Sequence, residues 1–216
     1  MPDAILFDLD GTLVDTAPDL VGVLNLQRSL HGLPELPFLL VRPYASHGTA
    51  GLLQIGFSIS TTHPAFNPLR EEYLDLFERH ANQHSTLFPG MVELLQELET
   101  RHILWGIVTN KPGWLTYSLL DHLNLTTRAA CIIHGDSCTN LKPHPDPLLL
   151  ACNQIGLPPE ICLYVGDAER DIVAAHACNM SAIIAEYGYI GPNDDPRSWY
   201  ADGSVAQPTD ILNWLD

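Results

Sequence analysis

The chain has 216 residues, 46% of them hydrophobic and 17% charged, which allows one sizeable domain, or a domain with an insertion, and argues against disorder. Its formal net charge is −16, which argues against nucleic acid and anionic membrane surfaces as partners, since both call for a basic patch. A chain this acidic that takes an anionic small molecule needs a local cation to hold it, most simply a metal.

The first element is the apolar run over residues 4–8, which ends in Asp8-Leu9-Asp10-Gly11-Thr12. Short apolar runs bounded by turn residues predict buried strands. In an open parallel sheet, chemistry collects beyond the carboxyl ends of such strands, so Asp8 and Asp10 are expected at a crevice mouth. Residues 17–86 then break the pattern. They contain no convincing buried strand, amphipathic helices over 18–31 and 68–84, and a short apolar helix near Leu52 inside a Gly/Ser/Thr/His-rich stretch. Pro89 and Gly90 mark the exit. From there strands are expected over 103–109, 131–134, 161–165 and 181–185, alternating with helices over 91–101, 113–124, 146–156 and 169–179. The strands are continuously apolar rather than alternating, so both faces should be covered. This order predicts an α/β fold with a doubly wound parallel sheet, formed by residues 1–16 and 87–216, and a helical unit, 17–86, inserted after the first strand.

Cys131, Cys138, Cys152, Cys162 and Cys178 form no Cys-x-x-Cys pair and read as reduced thiols, mostly buried. No charged-then-apolar leader precedes Asp8, and no apolar stretch is long enough to span a bilayer; a cytoplasmic protein, monomeric or homodimeric, is expected.

Four polar clusters follow the expected strands: Asp8-x-Asp10-Gly11-Thr12, Thr109-Asn110-Lys111-Pro112, Lys142-Pro143 and Gly166-Asp167-x-x-x-Asp171. Each alone reads as a turn or helix cap. Together, and in this order, they resemble the four motifs of the haloacid dehalogenase-like hydrolase superfamily over the whole chain, with a Rossmann-like core. The segments Phe7–Thr16, Val108–Pro112, Lys142–Pro147 and Tyr187–Tyr189 are similar to its phosphoglycolate phosphatase branch. Leu104-Trp105-Gly106 and a tail containing Pro192, Asp194, Pro196, Trp199, Ala201 and Asp202 are closer still to N-acetylmuramic acid 6-phosphate phosphatases. Pro43 and His47 depart from that pattern, where the relatives tend to have small residues.

The resemblance implies a phosphatase of small phosphate esters, either phosphoglycolate or N-acetylmuramic acid 6-phosphate. It implies Asp8 as nucleophile, Asp10 as general acid and base, and Thr109, the Asn110 backbone and Lys142 as holders of the phosphoryl oxygens. It also implies Mg²⁺ bound by Asp8, the Asp10 carbonyl and Asp167, with Asp171 supporting. Electrostatics agrees: carboxylates roughly 5 Å apart at an effective dielectric near 20 repel by about 3 kcal/mol per pair, and Lys142 alone cannot offset four of them. The insertion becomes a cap that selects the leaving group, and Arg42, with His47 beside it, is expected to face the site and read a substrate carboxylate or phosphate. A sugar phosphomutase of the same superfamily is the alternative. A signalling receiver domain has its acidic residues in another order and no cap. His80 and His84 share a chelating spacing but have no third ligand in register, so a solvated helix face is the better reading. The aromatics Tyr187, Tyr189, Trp199 and Tyr200 are expected to pack against the sheet edge.

Overall fold

The computed structural model describes residues 2–80 and 82–215. Strand Ala4–Phe7 (β1) leads to the short strand Val14–Asp15 (β2) and then to helices Ala17–Leu30 (α1), Phe38–Val41 (α2), Gly48–Phe57 (α3) and Phe66–His80 (α4). The chain returns through Thr86–Leu87 (β3), which pairs antiparallel with β2. It continues with Met91–Thr100 (α5), Leu104–Val108 (β4), Gly113–His122 (α6), Ile132–Ile133 (β5) and Asp146–Ile155 (α7). Cys162–Gly166 (β6), Glu169–His176 (α8), Ser181–Ala185 (β7) and Gly203–Val205 (β8) complete the elements used below.

Six strands form one parallel sheet in the order β5-β4-β1-β6-β7-β8. The doubly wound expectation is met. Ile5 and Phe7 pack on one face with Leu94, Leu95, Leu119 and Leu120 of α5 and α6. Ala4 and Leu6 pack on the other with Leu148 and Ile172 of α7 and α8. All four residues of β1 are buried, which is why its sequence shows no polar alternation. The sheet grows outward from β1 in both directions, so the carboxyl ends of β4, β1 and β6 lie side by side at a topological switch point.

Two features escape the sequence reading. Strand β8 is three residues of Gly-Ser-Val, too short and too mixed to show a period. The β2/β3 ribbon, two residues a side, joins the outgoing and returning legs of the helical segment. Asp19, in the first turn of α1, reinforces that junction by accepting hydrogen bonds from the backbone N–H groups of His84 (3.0 Å) and Ser85 (2.9 Å). Helices α1 and α4 share an apolar cluster of Leu20, Leu24, Tyr73 and Phe77 that continues into Leu115 of α6 and Tyr189 beyond β7. The helical segment is therefore seated on the sheet domain by side-chain packing as well as by its two connecting legs. Tyr187 and Tyr189 belong to this seam, with ring centroids 5.0 and 6.3 Å from Phe88, rather than to the sheet edge. Trp199 packs on the α8 side of the core, and Tyr200 is exposed.

The five cysteines are free thiols; four are buried and Cys138 is half-buried. No helix among the described residues is long and apolar enough to cross a membrane.

Candidate active site

Asp8, Thr109 and Asp167 are each the first residue after a strand of the central trio, β1, β4 and β6. Asp8 is held rigidly. Its N–H donates to the Val165 carbonyl (2.9 Å), and its Oδ1 accepts from the Leu9 N–H (2.7 Å). The Lys142 ammonium approaches the same oxygen to 3.0 Å, whereas Oδ2 faces the Arg170 guanidinium at 3.7 Å.

Lys142 has a fully buried side chain, and every polar neighbour of its Nζ is an acceptor or a carboxylate. It lies 2.7 Å from Asp171 Oδ1 and donates to the Val108 carbonyl (2.8 Å) and the Tyr164 hydroxyl (2.7 Å). Its loop is positioned by Asn110. The Asn110 amide donates to the Lys142 carbonyl (2.9 Å) and accepts from the Lys142 N–H (3.0 Å). The Asn110 side chain thus braces Lys142, leaving its backbone for a ligand. Thr109 is buried, and its Oγ1 accepts from the Lys111 N–H (3.1 Å), which shapes the turn after β4.

Asp167 and Asp171 complete an acidic group. One carboxylate oxygen each from Asp8, Asp167 and Asp171 falls within 4.8 Å of the others, and all three residues are buried. Burial first, and then the charges of Asp8 and Asp171, push the Asp167 carboxyl up to about 7. Burial also raises Asp171, against the pull of Lys142. These are hard oxygen donors with excess negative charge, a set that suits Mg²⁺. Asp171 is already engaged, by Lys142 at Oδ1 and by the Ala168 N–H at Oδ2 (3.1 Å). Asp167 is fixed by the Tyr189 N–H (2.8 Å to Oδ2) and more weakly by the Thr12 hydroxyl (3.4 Å to Oδ1).

Gly11 makes this placement possible. It has φ = +87°, and a Cβ there would overlap Asp167 Oδ2 and the Tyr189 ring. Gly11→Ala is expected to cost about 2 kcal/mol in urea unfolding, through backbone strain and displacement of Asp167. It should depress catalysis further than stability; an unfolding midpoint equal to wild type would show that the turn tolerates a side chain.

Asp10 stands at the mouth. Its Oδ1 accepts from the Thr16 hydroxyl (2.6 Å) and is paired with the Lys111 ammonium (3.0 Å). Its Oδ2 has no hydrogen-bond partner among the described residues. Lys111 also sits 5.4 Å from the Phe77 ring centroid on α4. Asp8 and Asp10 open into a cavity of about 480 Å³ whose opposite wall is built by α4 and the segment around His47. His47 lines it, with burial and then Arg170 holding its imidazole below the usual range.

Arg42 does not face this cavity, contrary to the sequence expectation. Its guanidinium donates to the carbonyls of Gly188 (2.9 Å) and Tyr187 (3.1 Å) and lies 4.8 Å from the Tyr189 ring centroid. Two free carbonyls and an aromatic face hold the planar guanidinium at the seam, and its role is to tie the helical segment to the sheet domain. Three other cations line the cavity: Lys111, Arg70 and Arg170. Sequence reasoning gave none of them a role. Lys111 and Arg170 lay inside recognised motifs as spacers, and their position there was the available signal. Arg170 bridges the two sides, reaching Asp8 and, at 3.3 Å, the Ser46 hydroxyl.

Comparisons with known proteins agree with this architecture. Residues 5–185 match the haloacid dehalogenase-like hydrolase family. The chain is 42% identical over 210 residues to a phosphoglycolate phosphatase of Xanthomonas campestris pv. campestris, covering 97% of this chain and 95% of the relative. It is 38% identical over 213 residues to the N-acetylmuramic acid 6-phosphate phosphatase of Pseudomonas aeruginosa, covering 99% and 94%. Among solved structures it is similar to the crystal structure of a predicted phosphoglycolate phosphatase from Haemophilus somnus, with a TM-score of 0.85, 28% identity, and 99% and 98% of the two chains covered.

Proposed function

The chain belongs to the haloacid dehalogenase-like hydrolase family and is an enzyme of its phosphatase group, and from that premise we propose that it hydrolyses a small carboxylated phosphomonoester through an aspartyl-phosphate on Asp8, with Mg²⁺ as cofactor. The observation that carries this reading is the convergence of Lys142 and Asp171 on Asp8 and Asp167, which end the adjacent strands β1 and β6.

Each of the two motif aspartates has one oxygen anchored. At Asp8 the Leu9 N–H and Lys142 hold Oδ1, so Oδ2 is the oxygen that attacks phosphorus in line. At Asp10 the Thr16 hydroxyl and Lys111 hold Oδ1, so Oδ2 carries the proton given to the leaving oxygen and later takes one from water. Lys142, Thr109 and the Asn110 backbone receive the phosphoryl oxygens. Asp8, Asp167 and the Asp10 carbonyl would hold Mg²⁺ with Asp171 in support, and the ion supplies positive charge to the phosphoryl group. The helices between β2 and β3 act as a cap, excluding water and selecting the leaving group. Phosphoglycolate and N-acetylmuramic acid 6-phosphate, the substrates named for the relatives, are the candidates.

The test is phosphate release from p-nitrophenyl phosphate and both candidates, with Mg²⁺, with EDTA, and with Mg²⁺ restored. Turnover that survives EDTA would remove the metal. Turnover that needs a bisphosphate activator and yields little free phosphate would favour the mutase reading.

A pH dependence follows from Asp167. Its folded carboxyl titrates near 7, above the ordinary 3.8, so between those values the metal-free folded state holds a proton that the unfolded chain has lost. That favours the metal-free fold at acid pH and fades as pH rises toward 7. Mg²⁺ must displace this proton below pH 7 and need not above it. Its stabilisation should therefore be larger at pH 8 than at pH 6, measured as the Tm gain on adding Mg²⁺; equal gains would contradict the assignment of Asp167 as a ligand.

A further inference from the structure

We infer that Arg70 of α4 reads a carboxylate on the leaving group, and that the substrate is a sugar-sized phosphomonoester rather than a two-carbon one. This rests on the phosphomonoesterase reading above and deepens it.

The chain has only ten Lys and Arg residues against 26 Asp and Glu, so an uncommitted cation in the site is informative. Of the three that line the cavity, Lys111 is paired with Asp10, and Arg170 is held between Asp8 and the Ser46 hydroxyl. Arg70 has no hydrogen-bond or ion-pair partner among the described residues. The cavity's own carboxylates are answered by Lys142, Lys111 and Arg170, which leaves the charge of Arg70 for a ligand.

Its position on the helix supports the same conclusion. Phe66, Tyr73 and Phe77 belong to the buried face of α4 and line the cavity; Arg70 lies four residues after the first and three before the second, at the exposed edge of that face, and lines the cavity with them. Arg70 itself is exposed, so its guanidinium lines the cavity from the solvent side, where a planar two-pronged donor can meet a carboxylate entering with the leaving group. The phosphoryl end is fixed by Asp8 and Lys142 at the strand ends, while Arg70 stands on the opposite wall, contributed by the helical segment. A cavity of about 480 Å³ is in the range that encloses a many-atom ligand, and the apolar side chains beside Arg70 suit the carbon skeleton of a sugar derivative. Arg42, tied to two backbone carbonyls, has no part in this recognition.

The experiment uses a matched pair: N-acetylmuramic acid 6-phosphate and N-acetylglucosamine 6-phosphate, which lacks the carboxylate-bearing ether. The wild-type enzyme should prefer the first in kcat/KM. Arg70→Ala should collapse that preference by about tenfold or more, through KM of the carboxylated member, with Arg70→Lys intermediate because charge remains without the fork. Thermal melting of both variants establishes that they are folded. Equal losses on both substrates, no wild-type preference, or phosphoglycolate as the better substrate would each overturn the inference while p-nitrophenyl phosphate is still hydrolysed. Failure of the wild type on p-nitrophenyl phosphate would instead remove the phosphatase reading on which it stands.

Discussion

Asp8→Asn is expected to lower phosphate release by about four orders of magnitude or more, the scale on which hydrolases lose turnover when their nucleophile is removed. The fold should survive. The side chain keeps its shape, and an asparagine oxygen can still accept from the Leu9 N–H and Lys142, which hold Asp8 Oδ1 at 2.7 and 3.0 Å. The new amide then occupies the place of Oδ2. It cannot attack phosphorus, and it removes a charge from a buried group in which Asp8 and Asp171 help to push Asp167 up to about 7. The measurements are turnover, thermal melting, and mass spectrometry of protein quenched during turnover. Wild type should show added phosphate on the peptide containing Asp8, and the variant none. Turnover within tenfold of wild type, or phosphate found on another residue, would remove Asp8 as the nucleophile.

The parts legible in the sequence are those in which local pattern and site coincide. The run Ala4–Phe7 is apolar at every position because both faces of β1 are covered, and its end brings Asp8 to the switch point. The same logic places Thr109 after β4 and Asp167 after β6, so three segments far apart in sequence meet in space. What escaped depends on contacts that no local pattern encodes. Arg42 and Arg70 lie on the same helical segment and are equally cationic. Which one enters the cavity is decided by the carbonyls of Tyr187 and Gly188, more than 140 positions away from Arg42. Arg170 is a spacer in a motif until Ser46 is brought against it. The β2/β3 ribbon exists because the two legs of the insertion run together, and each leg alone is two unremarkable residues.

Lys142→Met is expected to abolish activity and to cost more stability than any other single change at the site. The side chain has no exposure, and its ammonium lies between Asp8 and Asp171 at 3.0 and 2.7 Å. Methionine fills the space of the stem but leaves two buried carboxylates facing each other, with Asp167 beside them. Removing one partner of a buried pair costs about 3–5 kcal/mol, which in a chain of this size is a fall in Tm of about 10 °C. The Val108 carbonyl keeps the Tyr164 hydroxyl as a donor (2.8 Å), so the loss is mainly electrostatic. That origin gives the prediction a pH signature. Without Lys142 the carboxyl groups can relieve their repulsion only by taking up protons, so the deficit against wild type should be largest near pH 8 and shrink toward pH 5 in metal-free protein. Adding Asp171→Asn should recover part of the lost stability at pH 8 and none of the activity, because the phosphoryl group still lacks its fixed cation. A deficit that did not change with pH would point to packing rather than charge, and a Lys142→Met protein as stable as wild type at pH 8 would contradict the ion-paired arrangement on which the site is built.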